Sequence, residues 1–224
     1  MKTMVAVMCL VGTAIAAGDN PYPMMGDIRQ YRIASKADEI ALAKSAAPAS
    51  VADHADVLVL GEHGYESAVK GTNGFVCFVG RSWDVSFSDP QFWNPKIRSP
   101  QCMNAASARS VLPRYLTRTE WVLAGVAKVE MQRREVAARA AGKLKAPEPD
   151  AMCYMMSKNG YLNDEVTHWH PHVMFYTPRE DVARWGANLS GSPVMADDHS
   201  YDDANIFFVV VASWSDGTPG PKRM

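Results

Sequence analysis

The chain has 224 residues, 47% of them apolar, and its 23 Lys and Arg against 24 Asp and Glu give a formal charge of −1. So even a balance excludes the basic stripe that nucleic acid or an anionic lipid surface would require. The apolar content is that of an ordinary globular protein, and the length suits one domain with a substantial core.

The N-terminus comes first. Lys2 is the only charge before Asp19; the run from Met4 to Val11 is apolar and is followed by Gly12, Thr13, Ala14, Ile15, Ala16 and Ala17. A positive start, a short apolar run and an A-x-A ending at Ala16 predict a cleavable secretory signal over 1–16. The remainder, 17–224, is expected to be a single domain, periplasmic or secreted. A bilayer span needs about 20 apolar residues, and the longest later run, Ile206 to Ala212, is only strand length, so no integral membrane segment is expected.

Cysteine usage agrees with export. Cys9 leaves with the signal, and Cys77, Cys102 and Cys153 remain. An odd count in an oxidising compartment predicts one bridge and one free thiol. Cys77–Cys102 is the expected pair, because Cys102 lies in an irregular, proline-rich stretch that a tether would hold. Cys153, among Met152, Tyr154, Met155 and Met156, reads as an inert buried thiol.

After an irregular lead-in over 18–33, Ser35 caps a first helix, with Asp38 three residues on; Pro48 ends it. Val57 to Leu60, Tyr65 to Lys70 and Phe75 to Val79 read as a three-strand meander, with Gly71-Thr72-Asn73-Gly74 as a hairpin connection. The stretch 83–103 carries Trp83, Phe87, Phe92, Trp93 and prolines at 90, 95 and 100. It has no period of 2 or 3.6, and a long ordered loop of this kind either meets a ligand or caps the core with its aromatic residues. A long helix is predicted next, with Thr117 and Glu120 as its capping box, Trp121, Val122, Val126, Val129 and Val136 as its apolar stripe, and Gly142 as its stop. Strands follow at Met152 to Met156 and Val173 to Tyr176, a short helix opens at Thr177-Pro178-Arg179-Glu180, and Ile206 to Ala212 reads as a central strand. Regular β-α alternation is absent, as is any glycine-rich phosphate loop. The expected fold is α+β, an antiparallel or mixed sheet of five or six strands with helices packed on one face.

One cluster points at chemistry. His168-Trp169-His170-Pro171-His172 holds half of the protein's six histidines. In an extended segment alternate side chains share a face, about 6.6 Å apart, and two imidazoles at that spacing can converge on one ion. The outer pair, about 13 Å apart, cannot, so a site would need further ligands. Glu62, His63 and Glu66 at the first hairpin turn are the leading candidates; Asp164, Glu165, Asp197, Asp198, His199, Asp202 and Asp203 are others. Imidazole with carboxylate suits zinc, iron or manganese, while Met155, Met156 and Met174 nearby would favour copper; zinc or copper is the expected cofactor. Pro171, lacking an N–H, places the cluster at a sheet edge or in a loop running into a strand; the alternative to a metal site is that the histidines are surface residues there and His172 a core residue bonded to backbone.

Two resemblances bear on function. His168-Trp169-His170-Pro171 is similar to the first metal motif of cupin barrels over about five residues. The glutamate of that motif has no counterpart, the next carboxylate after His170 being Glu180, so cupin activity does not carry over. Glu39-Ile40-Ala41-Leu42-Ala43, Gly71-Thr72-Asn73-Gly74-Phe75-Val76-Cys77 and Pro171-His172-Val173-Met174-Phe175-Tyr176 resemble an uncharacterised family of exported bacterial proteins over most of the chain, which implies export and no particular chemistry. Asn188-Leu189-Ser190-Gly191-Ser192 lacks the strand–turn–helix context of a nucleophile elbow, and no C-x-x-C is present. Two functions are open: transition-metal binding through a His-x-His pair, or non-catalytic ligand binding by the loop 83–103.

Overall fold

The computed structural model describes residues 20–178, 182–197 and 204–221. The expected signal, Glu180 and the acidic stretch 198–203 lie outside the described residues. Ser35 caps α1 (Lys36–Lys44) as expected, its side chain accepting from the Asp38 N–H at 3.0 Å. Pro48 does not end that helix; it stands at the N-cap of a second, one-turn helix, α2 (Ala49–Ala52).

Among the described residues eight strands make one mixed sheet: β1 (Asp56–Leu60), β2 (Tyr65–Val69), β3 (Val76–Gly80), β4 (Ser99–Met103), β5 (Met152–Met155), β6 (His172–Pro178), β7 (Val194–Asp197) and β8 (Ala204–Val210), in the order β2-β1-β3-β4-β5-β6-β8-β7. The expected five or six strands fall short by β4 and β7. All five residues of β4 are buried, yet its Ser99, Pro100 and Gln101 hide any apolar pattern. Pro100 is tolerated because the ladder to β5 covers only Cys102 and Met103.

The expected meander is also corrected. β1 and β2 form an antiparallel hairpin, but β3 lies parallel to β1 on its other side. Burial explains the order: β2 exposes Glu66 and Ser67 and suits an edge, whereas β3 is apolar at consecutive positions and buried on both faces. The connection at 70–75 therefore crosses the start of β1, where the amides of Thr72 and Asn73 donate to the His54 carbonyl at 2.8 and 3.2 Å. A β-carbon on Gly71 would lie 2.3 Å from the Ala55 and His54 backbone, so only glycine passes there.

Helices cover both faces, not one. Val57, Cys77, Val79 and Cys102 pack against Ala43 of α1, Ala46 and Ala47 beyond it, and Ala52 of α2. The alternate residues Phe78 and Met103, with Met174, Tyr176 and Ile206, pack against α3 (Ala105–Ser110) and α4 (Leu112–Leu123) through Ala106, Leu112 and Tyr115. Cys77 and Cys102 are disulfide-bonded directly across β3 and β4, Cα atoms 4.0 Å apart, and Cys153 is free and buried, its thiol pushed up to about 12 by burial. The bridge thus joins paired strands instead of tethering an irregular loop.

The single long helix is two. α4 ends near Gly125, at φ +71°, and α5 (Lys128–Ala140) follows; Thr117 and Glu120 lie inside α4 and cap nothing. Val129 and Val136 are exposed, and α5 buries Met131 and Glu135 instead. Glu135 accepts from Arg114 Nε at 2.9 Å and Arg118 Nε at 2.5 Å. Burial pushes its carboxyl up, but the two guanidinium charges outweigh that and hold it at about 2. Pro178 closes β6 and does not open a helix; a 3-10 turn stands at Val182–Trp185.

Candidate functional site

The structure disperses the expected metal ligands. His172, the first residue of β6, is buried, and its Nδ1–H donates to the His170 carbonyl at 2.7 Å. The rings of Trp169 and Phe208 pack at 4.8 and 5.7 Å, and burial holds the imidazole down at about 4. His172 is therefore neutral and built into the core. Residues 168–171 precede the strand, so the expected alternation does not run through them. His168 is exposed beside the Trp214 ring, and His170 Nδ1 is buried without a hydrogen-bond partner. All three histidines line one cleft with space of about 10 Å³, the volume of a single water.

Glu62 and His63 follow β1, and Glu66 lies on β2, at the outer edge of the sheet. Five strand spacings separate that edge from β6, about 24 Å, so these three side chains do not reach the histidines. Asp164 is engaged elsewhere, accepting from Tyr22 Oη at 2.5 Å, Lys96 Nζ at 3.0 Å and Tyr161 Oη. Among the described residues no group of three or more His, Cys, Asp or Glu is placed to hold an ion. Asp198, His199, Asp202 and Asp203 lie outside the described residues.

A larger space adjoins the histidine cleft and shares Met155 and Leu162 with it. This cavity, about 620 Å³, lies between the segment 81–97 and the sheet face that carries Ser99, Gln101, Met155, Met174, Ile206 and Phe208. Val85, Pro90 and Ile97 form the facing wall, and Ser86, Ser88, Asp89, Asn163 and Asp197 also line it. The aromatic residues of the loop do not. Trp83, Phe92 and Trp93 are buried with Tyr31, Val122 and Met131 in a core of their own. They hold the wall in place, and its smaller side chains face the space.

The polar end of the cavity is fixed by the turn after β3. Trp83 Nε1 donates to Thr119 Oγ1 at 2.9 Å, and Arg118 Nη1 donates to the carbonyls of Trp83 and Val85 at 3.0 and 2.7 Å, so α4 grips the 3-10 turn Ser82–Asp84 from behind. Arg81 is fully buried; Nη2 reaches Glu39 Oε1 at 2.8 Å and Nε the Tyr31 carbonyl at 2.7 Å. Its amide donates to Asp84 Oδ2 at 2.9 Å, whereas Asp84 Oδ1 is buried with no hydrogen-bond partner. Asp84 as a whole residue keeps partial exposure. Burial raises its carboxyl to about 7, against the opposing pull of the Arg81 amide and the charges of Arg118, Arg114 and Arg81.

Asp84 has two polar neighbours. The position a β-carbon would take on Gly80 is 2.5 Å from Ser99 Oγ, 2.6 Å from Asp84 Oδ2 and 2.8 Å from Gln101 Nε2. A carboxyl, a hydroxyl and a carboxamide thus crowd one glycine at one end of a mainly apolar space. Sequence reasoning missed all three, although Ser99 and Gln101 carried a usable signal. Two apart around Pro100, they share a face once Cys102 is assigned to the other.

Comparison with known proteins finds no matching family model, no matching curated protein and no matching solved structure.

Proposed function

We propose that this protein is an exported domain that binds a small organic molecule in the cavity between the segment 81–97 and the sheet. One observation carries the reading. The cavity, about 620 Å³, lies within the usual range for ligand sites, and it combines apolar walls with a few convergent polar groups as such sites do. Export is supported by the signal-like residues 1–16 and by the Cys77–Cys102 bridge. No helix among the described residues is long and apolar enough to cross a membrane. The test is fluorescence titration with N-phenyl-1-naphthylamine, a neutral dye that brightens in apolar surroundings. Saturable brightening in the wild type, lost in Met174→Trp and Ile206→Trp, supports the reading; equal brightening in the filled variants rejects it.

A second reading is zinc or copper binding by His168 and His170, and the partnerless Nδ1 of His170 is the observation in its favour. Two imidazoles alone form an incomplete shell, so binding through this pair is expected to be weak. Elemental analysis decides it: a stoichiometric metal that disappears in the His168→Ala/His170→Ala double variant supports this reading, and a metal content untouched by that variant rejects it.

A further inference from the structure

The cavity has two chemically different ends. Where β4 meets the turn after β3, Asp84, Ser99 and Gln101 crowd together over Gly80. Toward β8, Met155, Met174 and Phe208 offer thioether, methylene and phenyl surface, and beyond them Asp197 of β7, paired with Ile206, stands at the far end. Three strand spacings separate β4 from β8, about 14 Å. A bound molecule lying along this space has one end among hydrogen-bonding groups and the rest on apolar surface.

Charge discriminates among possible head groups. An anionic head at the Gly80 end would face the carboxyl of Asp84, with Asp89 of the same segment also lining the space, while the lining cation Arg81 is already paired with Glu39 at 2.8 Å. A cationic head would need an ionised Asp84, and that carboxyl has one oxygen buried without any donor. Stripping a charged head of water in such a site is costly, whereas an uncharged one loses little if its hydrogen bonds are replaced.

We infer that the cavity takes a neutral amphipathic molecule, an apolar chain ending in a hydroxyl or amide, with its head among Asp84, Ser99 and Gln101 and its chain along Met155, Met174 and Phe208. This inference rests on the small-molecule reading above and names the ligand class for that site. A hydroxyl or an amide both donates and accepts, as do the neutral carboxyl, the serine hydroxyl and the carboxamide it would meet. The raised carboxyl of Asp84, about 7, is consistent with an uncharged carboxyl at the head-group end under mildly acidic conditions.

The experiment is competition for N-phenyl-1-naphthylamine on the full chain at about pH 6, below the Asp84 midpoint. The competitors are octan-1-ol, octanoate and octylammonium, which share a chain and differ in the head. Octan-1-ol is expected to displace the dye at a concentration at least about tenfold lower than either ion. Because ions also prefer water, the variants carry the decision. In Gln101→Leu and Ser99→Ala the dye still binds while the preference for the alcohol shrinks to within about threefold. An ion that competes as well as the alcohol in the wild type overturns the inference, and so does a preference that persists undiminished in both variants. Absence of dye binding to the wild type sinks the cavity reading itself, so the two failures are told apart. Urea midpoints close to wild type for both variants establish that the change is local.

Discussion

Arg81 and Glu39 meet at 2.8 Å with side-chain exposures of 0% and 6%, joining the end of β3 to α1 out of contact with water. Glu39 Oε1 also accepts from the Leu60 N–H at 3.1 Å, so one carboxylate ties β1, β3 and α1 together. Removing one partner of a buried pair leaves the other charge uncompensated, at a cost of about 3–5 kcal/mol. Glu39→Ala is expected to lower the unfolding free energy by that amount in urea denaturation. A loss below about 1 kcal/mol would mean that Arg81 finds water or another acceptor and that the pair contributes little to the fold.

Two buried titratable groups predict opposite pH slopes over nearly the same window. His172 is held down at about 4 from 6.5, mainly by burial. Between those values the unfolded chain binds more protons, so this residue's contribution is complete above 6.5 and is lost as pH falls toward 4. Asp84 is raised to about 7 from 3.8. There the folded chain binds more protons, so its contribution is complete below 3.8 and is lost as pH rises through 7. Facing Asp84 are Arg81, Arg114 and Arg118, with the Tyr65 hydroxyl also in electrostatic range; Asp89 of the same segment and Asp197 of β7 also line the cavity. In the wild type the two slopes oppose each other between about 4 and 6.5. His172→Gln should expose a stability that falls with rising pH, and Asp84→Asn one that rises. Urea unfolding at several pH values checks this, and slopes unchanged in both variants would show that neither group is coupled to folding.

The disulfide closes a separation of 25 residues. Constraining the unfolded chain by a loop of that size contributes about 3 kcal/mol. Cys77→Ala/Cys102→Ala is expected to lose about that much stability while retaining dye binding, because Cys77 and Cys102 face the α1 side of the sheet, away from the cavity. Loss of dye binding under conditions where the variant is folded would place the bridge in the ligand site.

Features set by neighbours in the chain were legible in the sequence. Ser35 with Asp38 marks a helix start whatever the rest of the fold does, and Gly142 at φ +67° stops α5 as its position suggests. The buried Cys153 followed from its apolar neighbours. Features set by distant partners were not legible. Gly71 to Gly74 reads as a hairpin turn, and only the burial of β3 on both faces turns it into a crossover. The basic and apolar pattern of 117–142 fits one helix, and the break at Gly125 permits Glu135 to swing back onto Arg114 and Arg118. The histidine trio is visible, but chemical type alone points to Glu62, His63 and Glu66 as its partners, and sheet order puts them at the β2 edge, five strands from β6. Asp84, Ser99 and Gln101 form no motif, and only the pairing of β3 with β4 brings them together.

Gly80 and Gly125 separate the site from the scaffold. At Gly80 a β-carbon would stand within 2.8 Å of Ser99 Oγ, Asp84 Oδ2 and Gln101 Nε2, and the buried strand leaves those groups little room to withdraw. Gly80→Ala is therefore expected to cost about 1–3 kcal/mol by overpacking and to displace the groups assigned to the ligand head. At Gly125 the added atom meets nothing within 4 Å, but φ is +71°. Gly125→Ala should cost about 1 kcal/mol through backbone strain alone, and the added methyl touches none of the three polar groups. Urea denaturation together with dye and octan-1-ol titration reads both quantities. The expected pattern is a loss of stability in both variants and a loss of the alcohol preference in Gly80→Ala only. If Gly80→Ala binds octan-1-ol as the wild type does, the three groups over Gly80 do not form the head-group site; if Gly125→Ala loses the preference as well, binding follows global stability and not the local geometry.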